Sequence, residues 1–241
     1  MRKLGIGMFV LAICLGMIPL VPVFAVEERI LRVGLPGDVE TLDPDFSRYP
    51  ISNSVILNVY EQWFRYGTVD TGEGYFRSDV KDIRGAAVES WELSEDRMSL
   101  LIHIRKGVKF VKSGNEMTAD DFIYWYERGI HTKSGILWNL QAAGIKNFEK
   151  VDDYTVRVNF EYPMQDMFFM LARDQCWGVI DSKEAKKHAT PDDPWSTEWL
   201  AKHDAGCGEY YVESWEPGVR MVLAANPNYW AGKPHFDKVI L

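Results

Sequence analysis

The side chains best suited to chemistry in this sequence are five histidines and three carboxylate pairs, and their spacing matches no catalytic signature. The histidines are His103, His131, His188, His203 and His235. The paired acids are Asp120-Asp121, Asp152-Asp153 and Asp192-Asp193. No two histidines are four residues apart, as two metal ligands on one helix would be. The paired acids fall at a predicted helix start or in turns, and helix capping and turn formation account for acids at such positions. The residues therefore predict a protein that is not an enzyme and that needs no metal or other cofactor.

Two of the three cysteines, Cys176 and Cys207, lie beyond an N-terminal leader. An oxidising compartment would permit a disulfide between them. The spacing alone does not say whether their Cα atoms come within bridging distance, and it lacks the pairing typical of a zinc site. The bridge is therefore an open expectation.

The leader is the one long apolar run. A basic start precedes the uncharged segment Leu4–Val21, and Ala25 closes a site of the kind that signal peptidase cleaves. The run approaches the length of a membrane anchor, but two prolines and the site behind them favour cleavage. A lipoprotein is disfavoured because Ile13 precedes Cys14 where a small residue is wanted. We expect cleavage near Ala25 and a periplasmic or otherwise exported protein.

The charge balance limits the choice of partner. The chain has 27 Lys and Arg against 35 Asp and Glu, a net charge of −8. Loss of the leader removes Arg2 and Lys3 but no acid, so the net charge of the remaining chain is −10. A phosphate backbone requires a basic surface, so nucleic acid is not an expected partner. Self-repulsion at this charge favours a monomer. Apolar residues at 46% and charged residues at 26% are ordinary for a globular protein.

Alternating apolar residues predict one leading strand and three hairpins. The strand covers 29–35. The hairpins pair 88–93 with 98–105, a strand before Asp152 with 154–160, and 210–215 with 219–223. Pro217-Gly218 in the last hairpin fits the central positions of a type II turn.

Apolar residues three and four apart predict two helices. The first covers 54–64 and would end at Gly67, and the second starts at Thr118 with a capping box to Asp121. The rings at 124–126 are interpreted as core packing rather than as ligand contacts. Residues 235–241 look like a strand without an evident partner, which predicts a truncated chain.

Four ordered motifs resemble the family 5 extracellular solute-binding proteins, the peptide- and nickel-binding receptors of ABC importers. They are 31–35 with 42–44, 87–91 through 105–110, 118–122 ending near 127–128, and 206–218 followed by Asn226-Pro227-Asn228-Tyr229-Trp230. Cys207 and Glu209 stand where the family usually has Thr and Pro, which puts the local turn in question and makes the Cys176–Cys207 bridge worth testing. Family members are roughly twice as long, so a second lobe is expected to be missing.

The resemblance implies a mixed α/β, type II periplasmic-binding-protein-like fold of which this chain is the first lobe. After the signal peptide, residues 1–25, segments 26–50 and 166–241 would form a sheet subdomain next to the hinge. Residues 51–165 would form a peripheral subdomain inserted in it.

The implied function is capture of a short peptide or similar small solute and its delivery to an ABC permease at the membrane. Leu35, Pro36, Gly37 and Asp38, in the loop after the first strand, are the expected ligand contacts, although Asp38 could equally serve the turn. Further candidates for the walls of the site are Tyr49, Trp138 and Trp177. Three alternatives stay open: an exported hydrolase, a degenerate lobe that binds another protein, and nickel or haem as the ligand.

Overall fold

The computed structural model describes residues 28–164 and 178–241. The strands are β1 (Ile30–Arg32), β2 (Phe64–Asp70), β3 (Phe76–Gly85), β4 (Val88–Leu93), β5 (Ser99–Ile104), β6 (Ile145–Asp152), β7 (Thr155–Phe160), β8 (Tyr210–Glu216), β9 (Arg220–Ala225) and β10 (Lys238–Ile240). The helices are α1 (Pro50–Val59), α2 (Ala119–Thr132), α3 (Gly135–Ala142), α4 (Ser182–Lys187) and α5 (Thr197–Leu200). The predicted signal peptide, Cys176 and Trp177 lie outside the described residues. No helix in 28–164 or 178–241 is long and apolar enough to cross a bilayer.

The first sheet has the order β1-β10-β9-β8, with β1 parallel to β10 and the other pairs antiparallel. The prediction that the last strand lacks a partner was wrong. Val33 N–H donates to Ile240 O at 2.9 Å on one side, and Leu241 N–H donates to Met221 O at 2.9 Å on the other. The partner β1 lies about two hundred residues upstream, which is why no local pattern signals it.

The second sheet has the order β4-β5-β7-β6, and β2 and β3 form a separate two-stranded hairpin. The three predicted hairpins are confirmed, because β4 pairs with β5, β6 with β7 and β8 with β9, each antiparallel. Along β5 the alternate residues Leu100, Ile102 and Ile104 are buried. The helix expected up to Gly67 ends earlier, at Val59, and Gly67 lies inside β2. A strand entering the core can show the same spacing of apolar residues as a helix, which explains the error.

The core is centred on three rings that come from α2 and from the chain before β2. Trp63 packs on Phe122 and Trp125 with ring centroids 4.7 and 4.9 Å apart. At the start of α2, Asp121 accepts the Thr118 N–H at 2.8 Å, which is the expected half of the capping box. Tyr124 is also buried, so the rings at 124–126 belong mainly to the core.

The three sheets draw their strands from different parts of the chain. The strands of the first sheet come from residues before 50 and after 178, and those of the other two come from 64–160. The assignment of these parts to hinge-proximal and peripheral subdomains stays a prediction.

The glycine motif before β8 lies against the end of α1. Gly208 N–H donates to Val59 O at 2.9 Å. A Cβ at Gly206 would lie 2.1 Å from Val59 O, and one at Gly208 would lie 2.5 Å from Asn58 O. The two backbones therefore approach as closely as only glycine permits, and the buried Cys207 between the glycines leaves this contact intact.

We expect Gly206→Ala to lower the free energy of unfolding by about 2–3 kcal/mol, because the added methyl group must push α1 away from the motif. Urea denaturation followed by circular dichroism measures the change. Gly34→Ala is the matched control, since its Cβ would meet nothing within 4 Å, and it should change the free energy by no more than about 0.5 kcal/mol. Equal effects of the two substitutions would contradict the proposed close contact.

Candidate functional site

A cleft of about 470 Å³ opens where β1 ends. Its walls are the loop after β1, the β8–β9 turn and the end of β10. The lining residues are Val33, Gly34, Leu35, Pro36, Gly37, Asp38, Val39, Gly218, Val219, Arg220, Met221 and Leu241. Three distant parts of the chain therefore converge on one concave surface.

Asp38 ties two walls of the cleft together. Its Oδ2 accepts the Gly218 N–H at 2.6 Å, and its Oδ1 accepts the Val39 N–H at 2.8 Å. The turn that it holds is closed by Val219 N–H donating to Glu216 O at 3.0 Å, with Gly218 at φ 75° as a type II turn requires. Asp38 therefore joins the cleft loop to the β8–β9 turn, and whether it also contacts a ligand stays a prediction.

The cleft offers apolar surface and free backbone groups. Val219 is 74% exposed and Val33 is 37% exposed. Strand β1 pairs with β10 on one side, and no strand within 28–164 or 178–241 pairs with its other side. A free strand edge can accept an extended peptide as an additional strand.

The start of β1 is fastened to β10 by Asp237. Its backbone N–H donates to Arg29 O at 2.8 Å, and its Oδ2 accepts the Arg29 N–H at 2.8 Å. Hydrogen bonds from the Lys233 side chain and from the Arg29 backbone lower the pKa of the Asp237 carboxyl to about 2. These bonds fix the strand that carries the cleft loop.

A fully buried charge cluster is formed by Arg128 and by Asp43 and Asp45, two acids that follow the cleft loop in the sequence. Arg128 Nη1 donates to Asp43 Oδ1 at 3.0 Å and also to Asp45 Oδ2, while its Nε donates to Trp195 O at 3.1 Å. Burial raises the pKa of Asp45 to about 7 and raises that of Asp43 as well, although Arg128 opposes both shifts. The cluster fastens α2 to the chain that follows the cleft loop.

A larger cavity of about 540 Å³ adjoins the cleft and shares Val39 with it. Its most buried charge, Asp204, is ion-paired with Lys112, and Asp204 also accepts the Val212 N–H at 3.4 Å. The buried charge of this cavity is thus already paired within the chain, and the cleft at the end of β1, beside an edge that no described strand covers, is the better candidate for binding.

The sequence profile of the bacterial extracellular solute-binding proteins, family 5, middle region, matches residues 82–241. The chain belongs to this family. The solute-binding character of the family agrees with a cleft that is lined by apolar side chains and lies beside the edge of a strand.

Among curated relatives, the probable D,D-dipeptide-binding periplasmic protein DdpA of Escherichia coli is 28% identical over 218 residues. The match covers 89% of this chain and 39% of DdpA. The chain thus spans about two fifths of the length of this relative.

Solved structures show the same fold. The binding protein MoaA of Agrobacterium tumefaciens R10, in complex with mannopinic acid, superposes with a TM-score of 0.75 at 25% identity, over 89% of this chain and 40% of MoaA. The oligopeptide-binding protein AppA of Bacillus subtilis, in complex with a nonapeptide, gives 0.72 at 22%, over 89% and 40%. The expected mixed α/β, periplasmic-binding-protein-like fold, present as part of the longer family fold, is confirmed.

The expected ligand contacts are brought together only in part. Leu35–Asp38 line the cleft. Tyr49, 56% exposed at the start of α1, and Trp138, 66% exposed on α3, do not line it. Trp177 lies outside the described residues. The ligand-binding roles of all seven residues therefore stay predictions.

The candidate disulfide stays untested, because Cys176 lies outside the described residues. Cys207 is buried, and burial raises the pKa of its thiol well above the ordinary value. As a free thiol, Cys207 would therefore stay in its neutral form, which is a poor nucleophile.

Proposed function

We propose that this chain is one lobe of an exported receptor that captures a short peptide and hands it to an ABC permease. The observation that carries the proposal is the outer edge of β1, which no strand within 28–164 or 178–241 covers, directly before the residues that line the cleft. An extended peptide can form main-chain hydrogen bonds with such an edge, while the apolar walls contact its side chains. The names of DdpA and AppA, a D,D-dipeptide-binding and an oligopeptide-binding protein, support a peptide as the solute.

The mechanism is closure of two lobes around the solute. A ligand that contacts both lobes only in the closed state shifts the hinge equilibrium towards that state. Asp38 contributes by holding the cleft loop against the Gly218 turn, so that this half of the site is formed before the ligand arrives. The receptor then requires no bond-making chemistry of its own.

The affinity of this lobe alone follows from the same mechanism. A micromolar ligand corresponds to about −8 kcal/mol, and if each lobe supplied half of it, one lobe would bind near the millimolar range. We expect titration of the ¹⁵N-labelled chain with dipeptides, D-Ala-D-Ala and mannopinic acid to give a Kd of about 1 mM for the peptides. The amide shifts should be confined to residues 33–39 and 218–221.

Val219→Lys tests the location of the site, because Val219 is exposed and lines the cleft. It should weaken peptide binding roughly fivefold or more, since it places a hydrated charge on an apolar wall. Val151→Lys, on an exposed position of β6, is the matched control and should leave the Kd unchanged. Amide shifts that cluster elsewhere, or micromolar binding by this lobe alone, would contradict the proposal.

A further inference from the structure

The cleft at the end of β1 contains one carboxylate whose charge is not balanced by a cation of the described chain. Of the described residues that line the cleft, only Asp38 and Arg220 carry a charged side chain. Arg220 Nη2 lies 3.1 Å from Glu216 Oε1, so its charge is already balanced within the chain. Asp38 has hydrogen bonds to backbone N–H groups but no ion pair with a Lys, Arg or His of residues 28–164 or 178–241.

The backbone holds this carboxylate in place and leaves it accessible. Asp38 Oδ2 accepts the Gly218 N–H at 2.6 Å, and Oδ1 accepts the Val39 N–H at 2.8 Å. Each carboxylate oxygen can accept a second hydrogen bond, and Asp38 is exposed. A ligand can therefore donate to Asp38 without displacing the bonds that hold the cleft loop.

The walls around the carboxylate are apolar. They are formed by the side chains of Val33, Leu35, Pro36, Val219 and Met221. The side chains of Lys and Arg combine an apolar stem with a charged head, and they bury the stem along apolar surfaces. The α-ammonium group of a peptide has no such stem. One carboxylate among apolar walls is therefore complementary to the side chain of Lys or Arg.

The net charge of the molecule favours the same kind of ligand. After loss of the leader the chain carries a net charge of −10. A charge of this sign attracts cationic solutes and raises their association rate, and salt weakens the attraction beyond about 8 Å at physiological ionic strength. A solute that carries additional carboxylates is repelled.

We propose that the solute of the cleft is a basic peptide, and that a Lys or Arg side chain of this peptide binds to Asp38 between the apolar walls. This inference rests on the proposed function and adds the chemical class of the solute. The ammonium or guanidinium group donates to the Asp38 carboxylate, and the stem contacts Leu35 and Val219. Because Asp38 is exposed, the ion pair should improve the Kd by about fivefold.

Titration of the ¹⁵N-labelled chain with three peptides tests the proposal. The peptides are acetyl-Ala-Lys-Ala-amide and its counterparts with norleucine and with Glu in the middle position. The capped ends remove the terminal charges, and norleucine keeps the stem without the cationic head. At 0.02 M NaCl we expect the Lys peptide to bind about fivefold more tightly than the norleucine peptide, and the Glu peptide to bind most weakly. At 0.5 M NaCl the ratio should fall towards one.

Asp38→Asn assigns the preference to this carboxylate. The side-chain carbonyl of Asn can still accept the Gly218 N–H, but the charge is gone, so the ratio of the norleucine Kd to the Lys Kd should fall from about five to about one. Loss of the hold on the loop alone would weaken both peptides and leave the ratio unchanged. Glu95→Gln is the matched control, since Glu95 is exposed in the turn between β4 and β5 and does not line the cleft. It removes the same charge and should keep the ratio near five.

Two results distinguish failure of this inference from failure of the proposed function. Equal Kd values for the Lys and norleucine peptides, or an unchanged ratio in a folded Asp38→Asn variant, would overturn the assignment of a basic peptide and leave peptide capture standing. Absence of amide shifts at residues 33–39 and 218–221 with all three peptides would overturn both.

Discussion

Replacing Arg128 by Met should lower the free energy of unfolding by about 3–5 kcal/mol, because it leaves two buried carboxylates without their cation. Both Asp43 and Asp45 accept hydrogen bonds from the guanidinium, and all three side chains are inaccessible to solvent. The Trp195 carbonyl loses its donor as well. A buried charge that loses its partner carries most of its desolvation cost uncompensated.

Urea denaturation of the variant at pH 7 measures this loss. Arg220→Met is the matched control, since Arg220 pairs with Glu216 at 3.1 Å but is more than half exposed, and exposed pairs contribute at most about 1 kcal/mol. Adding Asp43→Asn and Asp45→Asn to the Met variant should recover part of the stability, because neutral amides tolerate burial better than carboxylates do. An Arg128→Met protein as stable as Arg220→Met would contradict the structural role of the cluster.

The local alternation of apolar residues predicted those strands whose pairing partners are close in the sequence. The strands β4 and β5 are joined by a short turn, and each alternates clearly enough to be placed from sequence. The last strand was misjudged because one of its neighbours, β1, is about two hundred residues away. Alternation marks a strand but carries no information on a distant neighbour.

The candidate site shows the same limit. The loop Leu35–Asp38 was expected to bind ligand on the strength of a family resemblance, and the structure places it in a cleft. The bond from Gly218 N–H to Asp38 spans 180 residues, and the bonds from Arg128 to Asp43 span 85. One sequence signal could have revealed the buried cluster: Asp43 and Asp45 lie two residues apart within an apolar turn. Acids at these positions are explained equally well by turn formation.

Asp45 should make the protein less stable as the pH rises from about 4 to about 7. Burial raises the pKa of its carboxyl to about 7 in the folded state, against Arg128 and with the help of the Asp43 charge, whereas the unfolded value is about 3.9. Between these two values the folded chain retains a proton that the unfolded chain has released. Stability therefore falls with rising pH across this window and levels off above it, by a total on the order of 2–4 kcal/mol.

The variant Asp45→Asn isolates this contribution, because the amide keeps an acceptor for Arg128 and has no proton to lose. It should match the native chain most closely near pH 4, below which Asp45 is protonated in the folded and the unfolded chain alike, and exceed it in stability by the full amount at pH 8. Urea midpoints at pH 4, 5, 6, 7 and 8 measure both slopes. Asp152→Asn is the control: a backbone hydrogen bond from Tyr154 lowers the pKa of Asp152, so its titration lies below this range. An unchanged slope in Asp45→Asn would show that Arg128 holds both carboxylates ionised, and the cluster would then be a permanent ion triad with no titration between pH 5 and 8.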